Sequence, residues 1–150
     1  MEEKPTNELD ELLSGMKPEE LESYLKENRR YMADDEKAFS YYIKDAIKDN
    51  GIKLKDVYIR ADVSESYGSK ILSMYSHTKN RDMIIRLCIA GHLSWKQTSR
   101  ALKLYGFNEL YSKNTRDSVI ISAINSRKYD IECIDKELES HALPKLSKEE

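Results

Sequence analysis

Apolar side chains recur along this chain at the three- and four-residue spacing of an α-helix rather than at the alternating spacing of a β-strand. Helix breakers are sparse, with five glycines and three prolines in 150 residues. The chain is long enough for one ordinary domain with its own core. The sequence therefore predicts an all-α protein with one main domain.

The clearest helical periodicity begins near residue 37, in the first helix of the main domain. One face of this helix carries apolar residues at positions i, i+3, i+4, i+7 and i+8, namely Phe39, Tyr42, Ile43, Ala46 and Ile47. The Asn50-Gly51 pair that follows is a strong helix stop, because glycine can adopt a left-handed conformation. The first helix is therefore expected to end there.

Four more helices are predicted after this one, over residues 53–61, 65–74, 81–90 and 95–105. Ser64 and Ser94 each stand just before a helix, where a hydroxyl can cap the first turn. Gly91 and Gly106 follow the fourth and fifth helices and are expected to close them. The side chains expected to pack where the second and third helices cross are Val57, Ala61, Val63 and Ile71.

The following stretch repeats the last two of these helices. Arg116-Asp117 corresponds to Arg81-Asp82, and Asp130 corresponds to Ser94 as a helix cap. After one inserted residue the apolar positions Ile120, Ile124, Leu138 and Leu146 match Ile85, Ile89, Leu102 and Leu110. Two copies fall short of the roughly three repeats of a solenoid, so a second helical hairpin stacked behind the first is predicted. Chance similarity between two amphipathic hairpins is the alternative.

Two short amphipathic helices are predicted ahead of the main domain, over residues 7–16 and 18–28. The second has Pro18 in its first turn, and both are too short to be stable alone. The chain is thus expected to contain an acidic helical extension at residues 1–36, a main domain at 37–110 and a C-terminal hairpin at 111–150.

Charge is distributed unevenly over the chain, although the formal net charge is only −2. Residues 1–36 carry 5 basic and 12 acidic side chains, net −7; residues 37–128 carry 17 and 8, net +9; and residues 129–150 carry 3 and 7, net −4. A basic middle segment can neutralise phosphates and release counterions. The alternative is an ordinary solvated helical surface whose lysines have no partner.

Signatures of several other classes of protein are missing. Three single histidines, His77, His92 and His141, form no metal-binding or catalytic pattern, so no enzyme, metal or cofactor is expected. Cys88 and Cys133 lie in apolar runs and are expected to be reduced core residues. With no signal peptide and no run of about 18 apolar residues, we expect a cytoplasmic protein without a membrane partner.

Residues 54–71 combine a helix of about eight residues, a turn of three to four residues and a second helix, the pattern of a DNA-reading helix-turn-helix. This stretch, LKDVYIRADVSESYGSKI, resembles the XRE/Cro family of phage-repressor-like proteins, and the resemblance extends over residues 37–105. It implies a compact five-helix domain whose third helix lies in the major groove of DNA.

The same resemblance implies which side chains meet DNA. Base edges are contacted from the third helix by Glu65, Ser66, Tyr67, Ser69 and Lys70. Phosphates are contacted by Lys55, Lys79 and Arg81, which position the protein without reading sequence.

Several of these assignments have a structural alternative. Tyr67 can be a half-buried packing residue, and Ser66 and Ser69 can be plain exposed helix residues. Arg81 and Arg116 share an Arg-Asp start and can instead pair with acidic neighbours, which for Arg116 is the interpretation we favour.

The sequence predicts a bacterial-type transcriptional regulator that binds double-stranded DNA. A homodimer is expected, because one recognition helix reads too few bases for specific binding. The dimer contact, or a contact with a protein partner, can come from the N-terminal helices or from the C-terminal hairpin. The alternative function is that of an interaction adaptor, which keeps the helix-turn-helix fold but holds a partner helix instead of DNA.

Overall fold

The computed structural model describes residues 6–28, 32 and 36–147, and all regular secondary structure within these residues is helical. The all-α expectation is confirmed. The α-helices of the described residues are α1 Thr6–Ser14, α2 Leu21–Glu27, α3 Ala38–Asp49, α4 Leu54–Arg60, α5 Glu65–Leu72, α6 Arg81–Ala90, α7 Trp95–Tyr105, α8 Thr115–Asn125 and α9 Ile131–Ser140.

Helix α6 lies at the centre of the fold. Every residue from Met83 to Ala90 is buried, namely seven apolar side chains and the charged side chain of Arg86. Helices α4, α7 and α9 contact α6, and α3 packs on α7. A continuous core joins side chains from α3 to α9, among them Phe39, Val57, Ile71, Ile85, Leu102, Ile120 and Leu138.

The stops and caps predicted for the central helices are largely confirmed. Gly51 ends α3 with a left-handed φ of +75°. Ser64 and Ser94 accept hydrogen bonds from the first turns of α5 and α7. Helix α5 ends at Leu72 instead of near residue 74, because Met74 adopts a left-handed φ of +64°.

Helices α6 and α7 form one antiparallel pair, here called hairpin A, and α8 and α9 form hairpin B. The predicted repeat is confirmed by their turns. His92 and Arg127 are both left-handed, with φ of +59° and +57°. Ser94 and Asp130, two and three residues further on, accept backbone hydrogen bonds from the first turns of α7 and α9. The two hairpins therefore share one local design.

Two details of this region differ from expectation. Gly106 ends α7 in a left-handed conformation, but Gly91 at the end of α6 has a φ of −84°, and the left-handed residue there is His92. Cys88 is buried, and burial raises the pKa of its thiol to about 12. Cys133 is exposed. Its expected place in the core is wrong, because α9 buries the stripe through Ile134 and Leu138 instead.

The N-terminal helices are shorter than predicted. A 3-10 turn at Pro18–Glu20 precedes α2, and Tyr24 is the buried residue of that helix. Residues 1–5, 29–31 and 33–35 of the predicted extension, and residues 148–150 of the predicted C-terminal hairpin, lie outside the described residues. In the part of the chain that is described, no helix has both the length and the apolar character needed to cross a membrane.

A histidine connects three parts of the fold. The His92 ring stacks on Tyr129 of hairpin B, with ring centroids 4.4 Å apart and an interplanar angle of 13°. Its Nε2 lies 3.3 Å from Nη1 of Arg60 at the end of α4. Burial, followed by the charge of Arg60, lowers the pKa of His92. The neutral imidazole is therefore the form that this junction favours.

Candidate nucleic-acid interface

Helices α4 and α5 are joined by a tight turn that fixes their relative position. Ala61 is fully buried at the crossing, and Asp62 adopts a left-handed φ of +57°. The Val63 N–H donates to the Tyr58 carbonyl at 3.1 Å. Ser64 Oγ then accepts from the Tyr67 N–H at 3.1 Å and caps α5. The predicted inward residues Val57, Ala61 and Ile71 are buried, and Val63 is partly buried.

Gly68 allows α5 to approach α4 closely. A Cβ at this position would stand 2.5 Å from Cδ1 of Tyr58 and 3.1 Å from Cγ2 of Val63. The distance to Tyr58 is shorter than a carbon–carbon contact allows, so the Tyr58 ring packs directly on the α5 backbone. The close packing of Tyr58 therefore explains why a glycine stands in the middle of α5.

The residues predicted to contact bases lie mostly on the outer side of α5. Glu65, Ser66, Tyr67 and Lys70 are exposed, and Tyr67 retains 37% of its surface. Ser69 is only half-exposed, and its hydroxyl donates to the Ser66 carbonyl at 3.1 Å. One helix face therefore presents a carboxylate, a hydroxyl, a phenol and an ammonium group to solvent.

Lys55 and Lys79, two of the predicted phosphate contacts, are exposed at opposite ends of the α4–α5 unit. Lys55 stands in the first turn of α4. Lys79 lies in the segment between α5 and α6, which is held in place on both sides. The Thr78 N–H donates to Oη of Tyr105 at 2.7 Å, and the Asn80 side chain caps α6 through the Met83 N–H.

Arg81, the third predicted phosphate contact, has an internal role instead. Its Nη1 and Nη2 donate to the two carboxylate oxygens of Asp117 at 3.0 and 2.9 Å. Its Nε and Nη2 donate to the carbonyls of Asn108 and Glu109 at 3.1 Å each. Four hydrogen bonds use most of the five N–H groups of a guanidinium. The geometry argues against Arg81 as a phosphate contact.

Arg116 has the matching role in the second repeat. Its Nη1 and Nη2 donate to Asp82 at 2.8 and 2.9 Å, and its Nε and Nη2 donate to the carbonyls of Pro144 and Lys145 at 2.9 Å each. The geometry supports the interpretation that Arg116 pairs with an acidic side chain. Arg86 is buried, so three of the seventeen basic groups of residues 37–128 are either buried or held in internal ion pairs.

Two lysines beside the end of α5 were missed by sequence reasoning. Lys44 Nζ donates to Oγ of Ser73 at 2.8 Å, and Lys37 Nζ lies 5.4 Å from the centre of the Tyr75 ring. Burial, followed by the charge of Lys37, lowers the pKa of Lys44. The only sequence signal was their spacing of seven residues, which places both on one side of α3.

No cluster of three or more histidine, cysteine, aspartate or glutamate side chains suited to a metal ion occurs among the described residues. The chemistry of this surface is instead that of hydroxyl, phenol and ammonium groups around an exposed helix. Comparison of the chain with known protein families, with curated proteins and with solved structures finds no match.

Proposed function

We propose that this chain is a non-enzymatic, cytoplasmic transcriptional regulator of the XRE/Cro type, which binds double-stranded DNA through α5. The observation that carries the proposal is the division of this helix into two faces. Ile71 and Leu72 are buried in the core, whereas Ser66, Tyr67 and Lys70 are exposed. A helix anchored on one side and polar on the other can enter the major groove without disturbing the fold.

Each exposed group on α5 has a base-edge partner that it can recognise. Lys70 can donate to the O6 and N7 acceptors of guanine, and Glu65 can accept from cytosine N4. Ser66 can donate to or accept from either base of a pair, and Tyr67 can contact a thymine methyl group or a phosphate. Ser69 contributes less, because its hydroxyl is bonded to the Ser66 carbonyl.

Lysines on the elements next to α5 can supply phosphate contacts. Lys55 and Lys79 flank the α4–α5 unit, and Lys37 and Lys44 stand near the end of α5. Phosphate contacts of this kind supply affinity and register but no sequence information. A homodimer would double both the base contacts and the phosphate contacts.

The test is the triple variant Lys55→Ala, Lys70→Ala and Lys79→Ala. All three side chains are exposed, so the free energy of unfolding should change by less than about 1 kcal/mol. DNA affinity should fall by roughly tenfold or more, and the dependence of log affinity on log salt should flatten by about one unit for each phosphate that is no longer neutralised.

A matched triple of exposed lysines away from α5 is the control: Lys103→Ala, Lys113→Ala and Lys136→Ala. It removes the same net charge but leaves the α4–α5 surface intact. Equal losses of affinity in the two triples would mean that binding follows net charge alone and would remove α5 from the interface.

The second candidate function is that of an interaction adaptor without DNA binding. The observation that favours it is the set of exposed leucines on the N-terminal helices, Leu12, Leu13, Leu21 and Leu25. Apolar residues grouped on one helix face commonly mark a protein contact. Binding of a protein partner, together with no retention on duplex DNA at low salt, would favour this candidate.

A further inference from the structure

Hairpins A and B are related by an approximate two-fold axis. Arg81 of hairpin A pairs with Asp117 of hairpin B, and Arg116 of hairpin B pairs with Asp82 of hairpin A. Helix α6 contacts α9, and its counterpart α8 contacts α7, the counterpart of α9. When residue i meets residue j and the copy of j meets the copy of i, the contact has two-fold character.

The opposite face of hairpin A is covered by α3 and α4. The Phe39 ring of α3 packs edge-on against Tyr105, with centroids 4.7 Å apart. The Asn50 side chain donates to Oε1 of Gln97 at 3.4 Å. Ile47 lies so close to Gly91 that a Cβ there would be 2.6 Å from its Cγ1. This face of hairpin A is therefore a helix-packing surface.

The corresponding face of hairpin B is an open groove of about 530 Å³ between α8 and α9. Ser126, Cys133 and His141 line it. In the repeat these three residues take the places of Gly91, Gln97 and Tyr105, the residues of hairpin A that meet α3. The groove floor is mostly apolar, with Val119, Ala123 and Ile134 among its lining residues.

Four leucines of the N-terminal helices remain partly exposed among the described residues. Leu12 and Leu13 of α1 are each 43% exposed, and Leu21 and Leu25 of α2 are 44% and 46% exposed. Leu21 and Leu25 are four residues apart and so lie on the same side of α2. Helices α1 and α2 thus expose apolar residues that can pack on another surface, and the groove of hairpin B is a surface of the type that helices cover in hairpin A.

We propose that the groove of hairpin B receives α1 and α2 of a second copy of this chain, and that the second copy receives those of the first. The inference deepens the homodimer of the proposed function by naming its interface. Two equal contacts around one two-fold axis would bury both leucine sets and both grooves and leave neither open for further growth.

Charge is compatible with this arrangement. Residues 6–28 carry seven acidic and two basic side chains. The groove is lined by one lysine, Lys128, and one carboxylate, Glu137, whose Oε1 lies 3.6 Å from Nε2 of His141. The charges of Lys128 and Glu137 cancel, so the groove has no net charge that repels the acidic helices, and its apolar floor supplies most of the contact. A largely apolar contact should persist at high salt.

The test is sedimentation of the full chain without DNA over a range of concentrations. Wild type is expected to form a dimer. The double variant Leu21→Glu and Leu25→Glu, and separately Ser122→Glu in the groove wall, should each raise the dimer dissociation constant by about tenfold or more. Ser23→Glu, an exposed position on the other side of α2, adds the same single charge as Ser122→Glu and should leave the dimer intact.

Mixing the two disrupted variants gives the sharpest result. A leucine variant still has an intact groove, and a groove variant still has intact leucines, so one of the two contacts re-forms and a mixed dimer should appear. A monomeric wild type, including one whose own helices close over its groove, would overturn the proposal. So would a dimer that neither variant weakens, or two variants that fail to complement.

The result is separable from that of the proposed DNA binding. Sedimentation is carried out without nucleic acid and can be repeated at high salt, where phosphate contacts are weak. A monomeric wild type that still binds duplex DNA would refute this interface alone, whereas a wild-type dimer as described with no affinity for duplex would refute only the proposed DNA function.

Discussion

Arg81 at the start of α6 and Asp117 in the first turn of α8 form a two-pronged ion pair, with Nη1–Oδ1 and Nη2–Oδ2 distances of 3.0 and 2.9 Å. The Asp117 side chain is only 7% exposed and that of Arg81 is 25% exposed. Asp117 also accepts from the Tyr111 N–H at 3.0 Å. The pair therefore ties the two hairpins and the segment between them together.

Replacing Arg81 with alanine should destabilise the fold by about 2–3 kcal/mol, because it leaves a mostly buried carboxylate without its cation. Arg81→Lys should restore little, since an ammonium cannot make the two-pronged contact. Urea denaturation measures both changes. The exposed neighbour Lys79→Ala should shift stability by less than about 0.5 kcal/mol, and equal effects at the two positions would contradict the structural role of Arg81.

Gly68→Ala should also destabilise the protein, by about 1–3 kcal/mol. In an open helix this change would stabilise by nearly 1 kcal/mol, but here the new methyl group would meet the Tyr58 ring. Gly15→Ala is the matched control, because no atom lies within 4 Å of a Cβ at that position. Thermal or urea unfolding of both variants gives the comparison, and a more stable Gly68→Ala protein would show that α4 and α5 pack less closely.

Stability should fall as the pH drops below about 6.5, in part because of His92. Burial and Arg60 lower the pKa of this imidazole in the folded state, so the unfolded chain takes up its proton first. The loss begins near the unfolded pKa and levels off below the folded pKa. His92→Asn keeps a residue that tolerates the left-handed backbone and should flatten the curve as the pH falls through the unfolded pKa of about 6.5. Identical pH profiles for the two proteins would rule out His92 as a source of the dependence.

One cysteine should react with a thiol reagent in the native protein, and the other only after unfolding. Cys133 is exposed, whereas Cys88 is buried and burial raises the pKa of its thiol to about 12. A colorimetric thiol assay on the native protein should count one fast thiol, and Cys133→Ser should remove it. Two fast thiols would mean that the core around α6 opens readily.

Local features of the fold could be predicted from the sequence. Ser64 and Ser94 are located as caps, Gly51 as a stop, and the stripe from Phe39 to Ile47 as a buried face, because each depends on residues within one or two turns. The match of Arg116-Asp117 with Arg81-Asp82 also revealed the second hairpin.

Features that depend on distant partners could not be predicted in this way. The carboxylate that holds Arg81 lies 36 positions further along the chain, and nothing near Arg81 distinguishes an ion pair from a phosphate contact. Cys133 stands one position before the buried residue Ile134 on α9. Hydrophobic periodicity does not locate the buried face of a helix to within one residue. Lys44 was missed because it lies in α3, whereas its partner Ser73 lies at the end of α5.

A fluorescence-anisotropy titration measures whether the exposed face of α5 binds DNA. Wild-type protein is titrated against a random duplex and against the DNA upstream of its own gene, at about 50 and 200 mM salt. We expect tighter binding to the upstream DNA, and a marked loss of affinity at the higher salt. Absence of binding to either duplex at low salt would mean that α5 is not a DNA-binding helix.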